Sequence, residues 1–93
     1  MDIERSAQLL KALAHPTRLL ILKELYKDKK CVNAIEEILE IRQPNISQHL
    51  NLLRLNGIVD YEKQGNRKCY FLINPEFVKN IFAVLENYDN GGE

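Results

Sequence analysis

Ninety-three residues leave room for one domain, and a chain this short buries only about 60 to 65% of its unfolded surface, so covering more apolar surface with a second subunit is a reasonable route to stability. The composition, 45% hydrophobic and 28% charged with a formal net charge of zero, is that of a globular protein and excludes one that coats nucleic acid indiscriminately. The charge is patterned, however: seven bases face four acids in residues 1–30 and five face two in residues 42–73, against none and three in 31–41 and one and four in 74–93, so one face is expected to be basic.

Met1-Asp2-Ile3-Glu4-Arg5 lacks the apolar run of a signal peptide, and no stretch approaches the roughly 20 apolar residues that span a bilayer. A cytoplasmic location with no membrane partner is expected. Two cysteines, Cys31 and Cys69, are too few for a secreted disulfide scaffold, so reduced thiols are the starting expectation.

In chain order, Ile3, Ala7, Leu10 and Ala14 recur at helical spacing and Leu9 and Leu13 widen the stripe, which predicts a first helix over Ile3 to Leu13. His15-Pro16 breaks it, because the residue before proline is pushed out of the α region while proline suits the first turn of a new helix, here Pro16 to Tyr26. Lys27 to Lys30 is a polar turn. Cys31-Val32 then leads into Ala34, Ile35, Ile38 and Leu39, a short third helix whose outer side carries Glu36, Glu37 and Glu40. Gln43-Pro44 opens a fourth helix that runs to Asn56 and ends on Gly57.

Ile58 to Gln64 alternates in polarity and Cys69 to Ile73 is aromatic and β-branched, which predicts two strands joined by Gly65-Asn66-Arg67-Lys68 as a hairpin with a basic tip. Asn74-Pro75 stops the second strand and caps a fifth helix. Phe77, Ile81, Val84, Leu85 and Tyr88 line one side of it at near-heptad spacing, an apolar surface that needs a partner. Asp89 to Glu93 is polar and holds two glycines, so it is expected to fray. The predicted class is mainly α with a small β-hairpin wing: one winged helix-turn-helix domain over residues 1–93, with four helices, two strands and a last helix, the helix-turn-helix at 31–56 and the wing at 58–73.

The few residues from Leu39 to Gln43 are the short turn needed to cross two helices and present the second outward. On that fourth helix Ile46, Leu50 and Leu53, at i, i+4 and i+7, face the core. Gln43, Asn45, Ser47, Gln48 and Asn51 occupy the other faces. Gln and Asn pair bidentately with adenine in the major groove, Ser uses a base edge or a phosphate, and a helix N-terminus favours phosphate nearby. These five residues, with Arg67 and Lys68 as phosphate or minor-groove contacts, form the candidate DNA-binding set, and double-stranded DNA is the expected partner. Arg54 stays open between a phosphate contact and an internal ion pair, and His49 is expected to pack and hydrogen-bond within the domain.

Three stretches now resemble the ArsR/SmtB family of repressors over nearly the whole chain. They are Leu13-Ala14-His15-Pro16-Thr17-Arg18-Leu19-Leu20-Ile21-Leu22; Gln43-Pro44-Asn45-Ile46-Ser47-Gln48-His49-Leu50 with Leu53-Arg54 and Gly57-Ile58-Val59; and Gly65-Asn66-Arg67-Lys68 before Tyr70. The resemblance implies a homodimer joined by the first and last helices, with Leu9, Leu10, Leu13, Phe77, Ile81, Leu85 and Tyr88 as the candidate interface. It also implies a palindromic operator with half-sites about 34 Å apart or a multiple, and repression relieved by an inducer. The family commonly has Ser at the N-cap position where Arg42 stands, a departure that leaves the cap of the fourth helix open and by which an Arg would instead add a phosphate contact.

Metal-sensing relatives carry a cysteine pair at the start of the third helix, or Asp and His ligands on the last. Cys31 stands at the family's cysteine position, but Asn33 occupies its partner's place, and the last helix offers Glu76, Glu86 and Asp89 without His or Cys, so no metal or other cofactor is expected. In a winged helix the segment before helix three often pairs with the second wing strand, which would bring Cys31 toward Cys69. A disulfide can form where the Cα atoms come within about 7 Å, and closing the 38-residue loop is worth roughly 4 kcal/mol in the chain-entropy model. A thiol switch, two inert buried cysteines with no effector, and a metal(loid)-responsive repressor using Cys31 all remain open. So does a winged-helix module that binds protein rather than DNA. An enzyme is not expected, since the chain has no glycine-rich phosphate loop or nucleophile motif, and His15 and His49 have no evident acid or cysteine partner in sequence.

Overall fold

In the computed structural model, which describes residues 1–91, the chain runs α1 (Ile3–Leu13), α2 (Pro16–Lys27), β1 (Lys30–Cys31), α3 (Val32–Leu39), α4 (Gln43–Leu55), β2 (Val59–Gln64), β3 (Arg67–Leu72) and α5 (Pro75–Gly91). This is the mainly helical winged helix-turn-helix expected from the sequence, with one strand more. The residue pair Lys30–Cys31, expected to lie in and just after a polar turn, pairs antiparallel with β3, which makes the wing a three-stranded sheet of order β1-β3-β2.

Local chemistry sets the boundaries. The Asp2 carboxylate accepts the Arg5 backbone N–H at 3.1 Å, His15 Nδ1 accepts that of Thr17 at 3.0 Å, and Asn74 Oδ1 accepts that of Phe77 at 3.1 Å, so α1, α2 and α5 each begin on a side chain that satisfies an orphan donor. The turn between α3 and α4 hinges on Glu40, held in the left-handed region at φ 55°, while the Ile41 N–H reaches back to the Glu36 carbonyl at 3.3 Å. At the end of α4, Gly57 at φ 73° allows a paired closure. Its own N–H bonds the Arg54 carbonyl at 2.9 Å and that of Ile58 bonds Leu53 at 3.0 Å, and the side chains of Ile58 and Leu53 are both buried.

Two boundaries differ from expectation. β3 begins at Arg67, because Gln64 pairs with Arg67 and leaves only Gly65 (φ 65°) and Asn66 as the turn; a two-residue hairpin with glycine at its first central position matches the twist of the flanking strands. Arg67 and Lys68 are thus strand residues rather than turn residues. The last helix continues through Asp89, Asn90 and Gly91, where fraying was expected; Asp and Asn carry only a small helix penalty and the apolar repeat before them sets the path. Gly92 and Glu93, also expected to fray, lie outside the described residues.

The core joins one side of each helix to the inner face of the sheet. Ile21 and Leu22 of α2, Ile35 of α3, Ile46, Leu50 and Leu53 of α4, Val59 of β2 and Val78 of α5 are all but inaccessible. Truncating one of them removes buried area and leaves a cavity. Leu50→Ala is expected to cost about 2 to 5 kcal/mol, read as a lower urea midpoint at unchanged slope.

Candidate nucleic-acid interface

With Ile46, Leu50 and Leu53 buried, the opposite sides of α4 are forced outward. Gln43, Asn45, Gln48 and Asn51 are exposed and Ser47 is half-buried. They divide into two stripes. Gln43, Ser47 and Asn51, four residues apart, face the wing, and with Val32 and Asn33 of α3 and Asn66, Arg67, Lys68 and Tyr70 of the hairpin they line a cleft of about 650 Å³. Asn45 and Gln48 are exposed outside that cleft. Of the seven candidate residues, five therefore meet in one cleft and two stand on an adjacent face of the same helix.

The cleft also contains residues the sequence reading did not place in the DNA-binding set. Asn33 and Asn66 add amide groups to its walls. Nothing in the hydrophobic periodicity marks either as functional, although the position of Asn66 in the hairpin turn was a signal. At the N-terminus of α4, Arg42 is the N-cap residue but its side chain makes no capping bond.

The two wing cations differ. Lys68 lies with its ammonium 4.8 Å from the centre of the Tyr61 ring, and Arg54 sets its guanidinium at the same distance from that ring. Arg67 makes no salt bridge to a carboxylate among the described residues, and it is exposed at the start of β3. Arg54 is the internal ion pair of its two alternatives, donating from Nε to Asp60 Oδ1 at 3.0 Å. That carboxylate also accepts the Tyr61 backbone N–H at 2.8 Å. The Tyr61 N–H first, and the Arg54 hydrogen bond second, hold Asp60 below the ordinary aspartate range, and the same pair raises Arg54. His49, as expected, hydrogen-bonds within the domain, with Nδ1 3.2 Å from Arg18 Nη1.

The two cysteines meet where β1 pairs with β3, next in the chain to residues that line the cleft. Cys31 is the N-cap residue of α3 and Cys69 sits opposite it in the β1–β3 register; the pair is joined by a disulfide with Cα atoms 3.6 Å apart. The residues that follow Cys31, Val32 and Asn33, form one wall of the cleft, and Lys68 and Tyr70, which flank Cys69, belong to the other.

The residues proposed for dimerisation fall into two groups. Leu13 is buried in the chain's own core, and Leu9, Phe77 and Ile81 pack against that core. Leu10 (61% exposed), Leu85 (47%) and Tyr88 (82%) stay open, joined by Ile3 and Val84. No helix of the described chain is long and apolar enough to cross a membrane.

The family model for bacterial regulatory proteins of the arsR family matches residues 15–61, from the His15 cap to Tyr61 of the wing. An HTH-type transcriptional regulator of Methanocaldococcus jannaschii is 39% identical over 84 residues, 89% of this chain and 93% of that one. The HTH-type transcriptional repressor SmtB of Mycobacterium tuberculosis is 36% identical over 98% of this chain, which spans 65% of SmtB's length. Among solved structures, the homodimeric winged helix-turn-helix DNA-binding domain of Mb0332 from Mycobacterium bovis superposes with a TM-score of 0.86 at 25% identity, covering 92% of this chain and 82% of that one.

The Asp60 geometry makes a prediction about titration. Followed by NMR at its carboxyl carbon, Asp60 is expected to titrate below the ordinary aspartate value of 3.8 and to move only part of the way back in Arg54→Ala, because the Tyr61 N–H remains. A full return would assign the whole effect to the arginine.

Proposed function

The chain belongs to the arsR family of bacterial regulatory proteins, and from that premise we propose that it is a homodimeric repressor that sets α4 in the DNA major groove and the β2–β3 wing beside it. The observation that carries this reading is the cleft in which Gln43, Ser47 and Asn51 of α4 face Arg67 and Lys68 of the wing, with Asn45 and Gln48 exposed next to it. Asn45 and Gln48 are assigned to base edges. Ser47, Arg42, Arg67 and Lys68 are assigned to phosphate or sugar. Dimerisation uses the apolar surface that one chain leaves open, Ile3 and Leu10 on α1 with Val84, Leu85 and Tyr88 on α5. A two-fold dimer of this kind reads a palindrome whose half-sites lie about 34 Å apart or a multiple of that. Selection from random duplexes followed by titration is the test, and recovery of no palindrome would overturn it.

The disulfide favours a second layer, a thiol switch through Cys31 and Cys69. In the reduced protein the wing is held to the body by the short β1–β3 pairing and by the core packing of Val59, Tyr70 and Leu72; oxidation adds a covalent tie between β3 and the start of α3. Two thiols give up two protons and two electrons to a peroxide, which is reduced to water, and the new S–S bond fixes the wing against the start of α3. The reduced form, whose wing can follow the DNA backbone, is the DNA-binding form in this reading.

Three outcomes follow. Gln48→Ala relaxes base preference at one operator position and weakens specific binding by about 1 to 3 kcal/mol. Arg67→Ala weakens all duplexes alike and lowers the salt dependence by about one counterion. Peroxide releases the operator from the wild type and has no effect on Cys69→Ser; equal affinity of oxidised and reduced wild type would make the disulfide a structural bond only.

A further inference from the structure

The two histidines of the chain, His15 and His49, are far apart in sequence and adjacent in space, with ring centroids 4.4 Å apart. Arg18 completes the cluster. Its Nε donates to the Ala12 carbonyl at 2.5 Å and its Nη2 to the Lys11 carbonyl at 3.3 Å, while Nη1 lies 3.2 Å from His49 Nδ1. Lys11 and Ala12 are in the last turn of α1, whose final carbonyls have no partner within the helix. One guanidinium thus holds the end of α1 and the middle of α4 together. A second arginine does the same at the other end of the contact, Arg5 of α1 bonding the Asn56 carbonyl at 2.6 Å and its side-chain oxygen at 3.2 Å.

The two clamps differ in what they require of the acceptor. A guanidinium has five N–H donors, no acceptor, and does not lose its proton, so the Arg18–His49 bond exists only while His49 Nδ1 carries none. A proton there sets N–H against N–H and places a second cation beside the first. Asn56 has no such state.

We propose that Arg18 is a positioning residue for DNA recognition, which holds α4 against α1 through a bond that only neutral His49 can accept, and that acidification opens this bond and lowers DNA affinity. The proposal rests on the assignment of α4 as the recognition helix. Burial first, then His15, then Arg18, push the His49 pKa below the ordinary histidine value of 6.5, as a ring kept neutral by its surroundings requires.

Among the described residues, the other charged groups on the elements packed against α4 do not engage the pair: Glu24 of α2 bonds Lys27, Glu62 of β2 pairs with Lys29, and Glu4 lies in the first turn of α1, away from its Lys11 end. Lys11 of α1 lines a groove beside Arg18 and adds positive charge, and Arg5 is engaged at Asn56. Glu36, Glu37 and Glu40 of α3 border a separate cleft at Arg42, the opposite end of α4. Asp60 of β2 is taken by Arg54 and the Tyr61 N–H. With no carboxylate engaging it among the described residues, a protonated His49 is destabilised. The sign follows: an opened form solvates His49 and takes up the proton more readily, so the clamped form is favoured above the ordinary histidine range and lost as pH falls through it.

Acid alone makes any protein more positive and tightens its hold on a polyanion, so a fall in affinity on acidification is the opposite of the general electrostatic expectation. The test is the dissociation constant for the selected duplex by fluorescence anisotropy, at constant ionic strength and fixed redox state, from about pH 7.5 to about pH 5.0. Wild type is expected to weaken about tenfold over that range, while His49→Gln, whose amide oxygen accepts from Arg18 at every pH, matches wild type at the top and stays within about twofold throughout. His15→Asn, which keeps a capping acceptor for Thr17, is expected to retain the fall. A wild-type profile that is flat or tightens with acid overturns the proposal whether or not the variants fold, as does a fall shared by His49→Gln or abolished only in His15→Asn. If wild type shows no sequence-specific binding even at the top of the range, the recognition-helix assignment fails with it; specific binding there with a flat profile removes the clamp alone.

Discussion

The burial of Ile46, Leu50 and Leu53 against the body of the domain is the constraint on which the rest depends. A helix with one face fully packed has its rotation about its own axis fixed, since a turn of even one residue would expose apolar area worth about 25 cal/mol per Å² and bury amides without partners. With the rotation fixed, the directions of Gln43, Ser47 and Asn51 toward the wing and of Asn45 and Gln48 outward are fixed as well. The polar groups at the interface make no contribution to this; they are carried there by leucine and isoleucine.

The position of α4 along and across the body is a separate matter, settled by elements on two sides. On one side α1 runs beside its C-terminal half and is held by Arg5 at Asn56 and by Arg18 at His49. On the other the wing is fixed by its pairing with β1 and by Tyr61, whose ring lies against Tyr70 and takes the cationic ends of Arg54 and Lys68. Individually these surface contacts are weak, and exposed ion pairs contribute little. Their value lies in geometry, because each fixes α4 or the wing relative to a neighbouring element of the fold.

Charge is distributed in keeping with that arrangement. A chain of zero net charge has little general attraction for DNA, so binding must come from a local concentration of cations and from shape. Arg67 and Lys68 stand on the wing and Arg42 at the start of α4, while the carboxylates of α3 lie along their own cleft beside Arg42. The exposed apolar residues of α1 and α5 lie apart from the cleft and do not compete with it for surface.

The periodicity of apolar residues, the break at His15-Pro16, the cap at Asn74 and the glycine after α4 determined the helices and the order of elements, because these signals act between neighbours in the chain. The core face of α4 was equally legible, and with it the candidate recognition residues, since a 3.6-residue period leaves no choice about which side chains lie opposite Leu50. What the sequence could not supply were contacts between distant segments. The two-residue strand β1 has no pattern of its own and exists only because β3 offers it a ladder; Leu13 reads as an interface leucine until the core closes over it; Arg54 keeps two roles until Asp60 is placed within reach. The approach of Cys31 to Cys69 was open in the sequence only through the strand pairing a winged helix offers, and the joining of His49 to Arg18 and His15 had no signal there, since only the packing of α1, α2 and α4 brings those groups together.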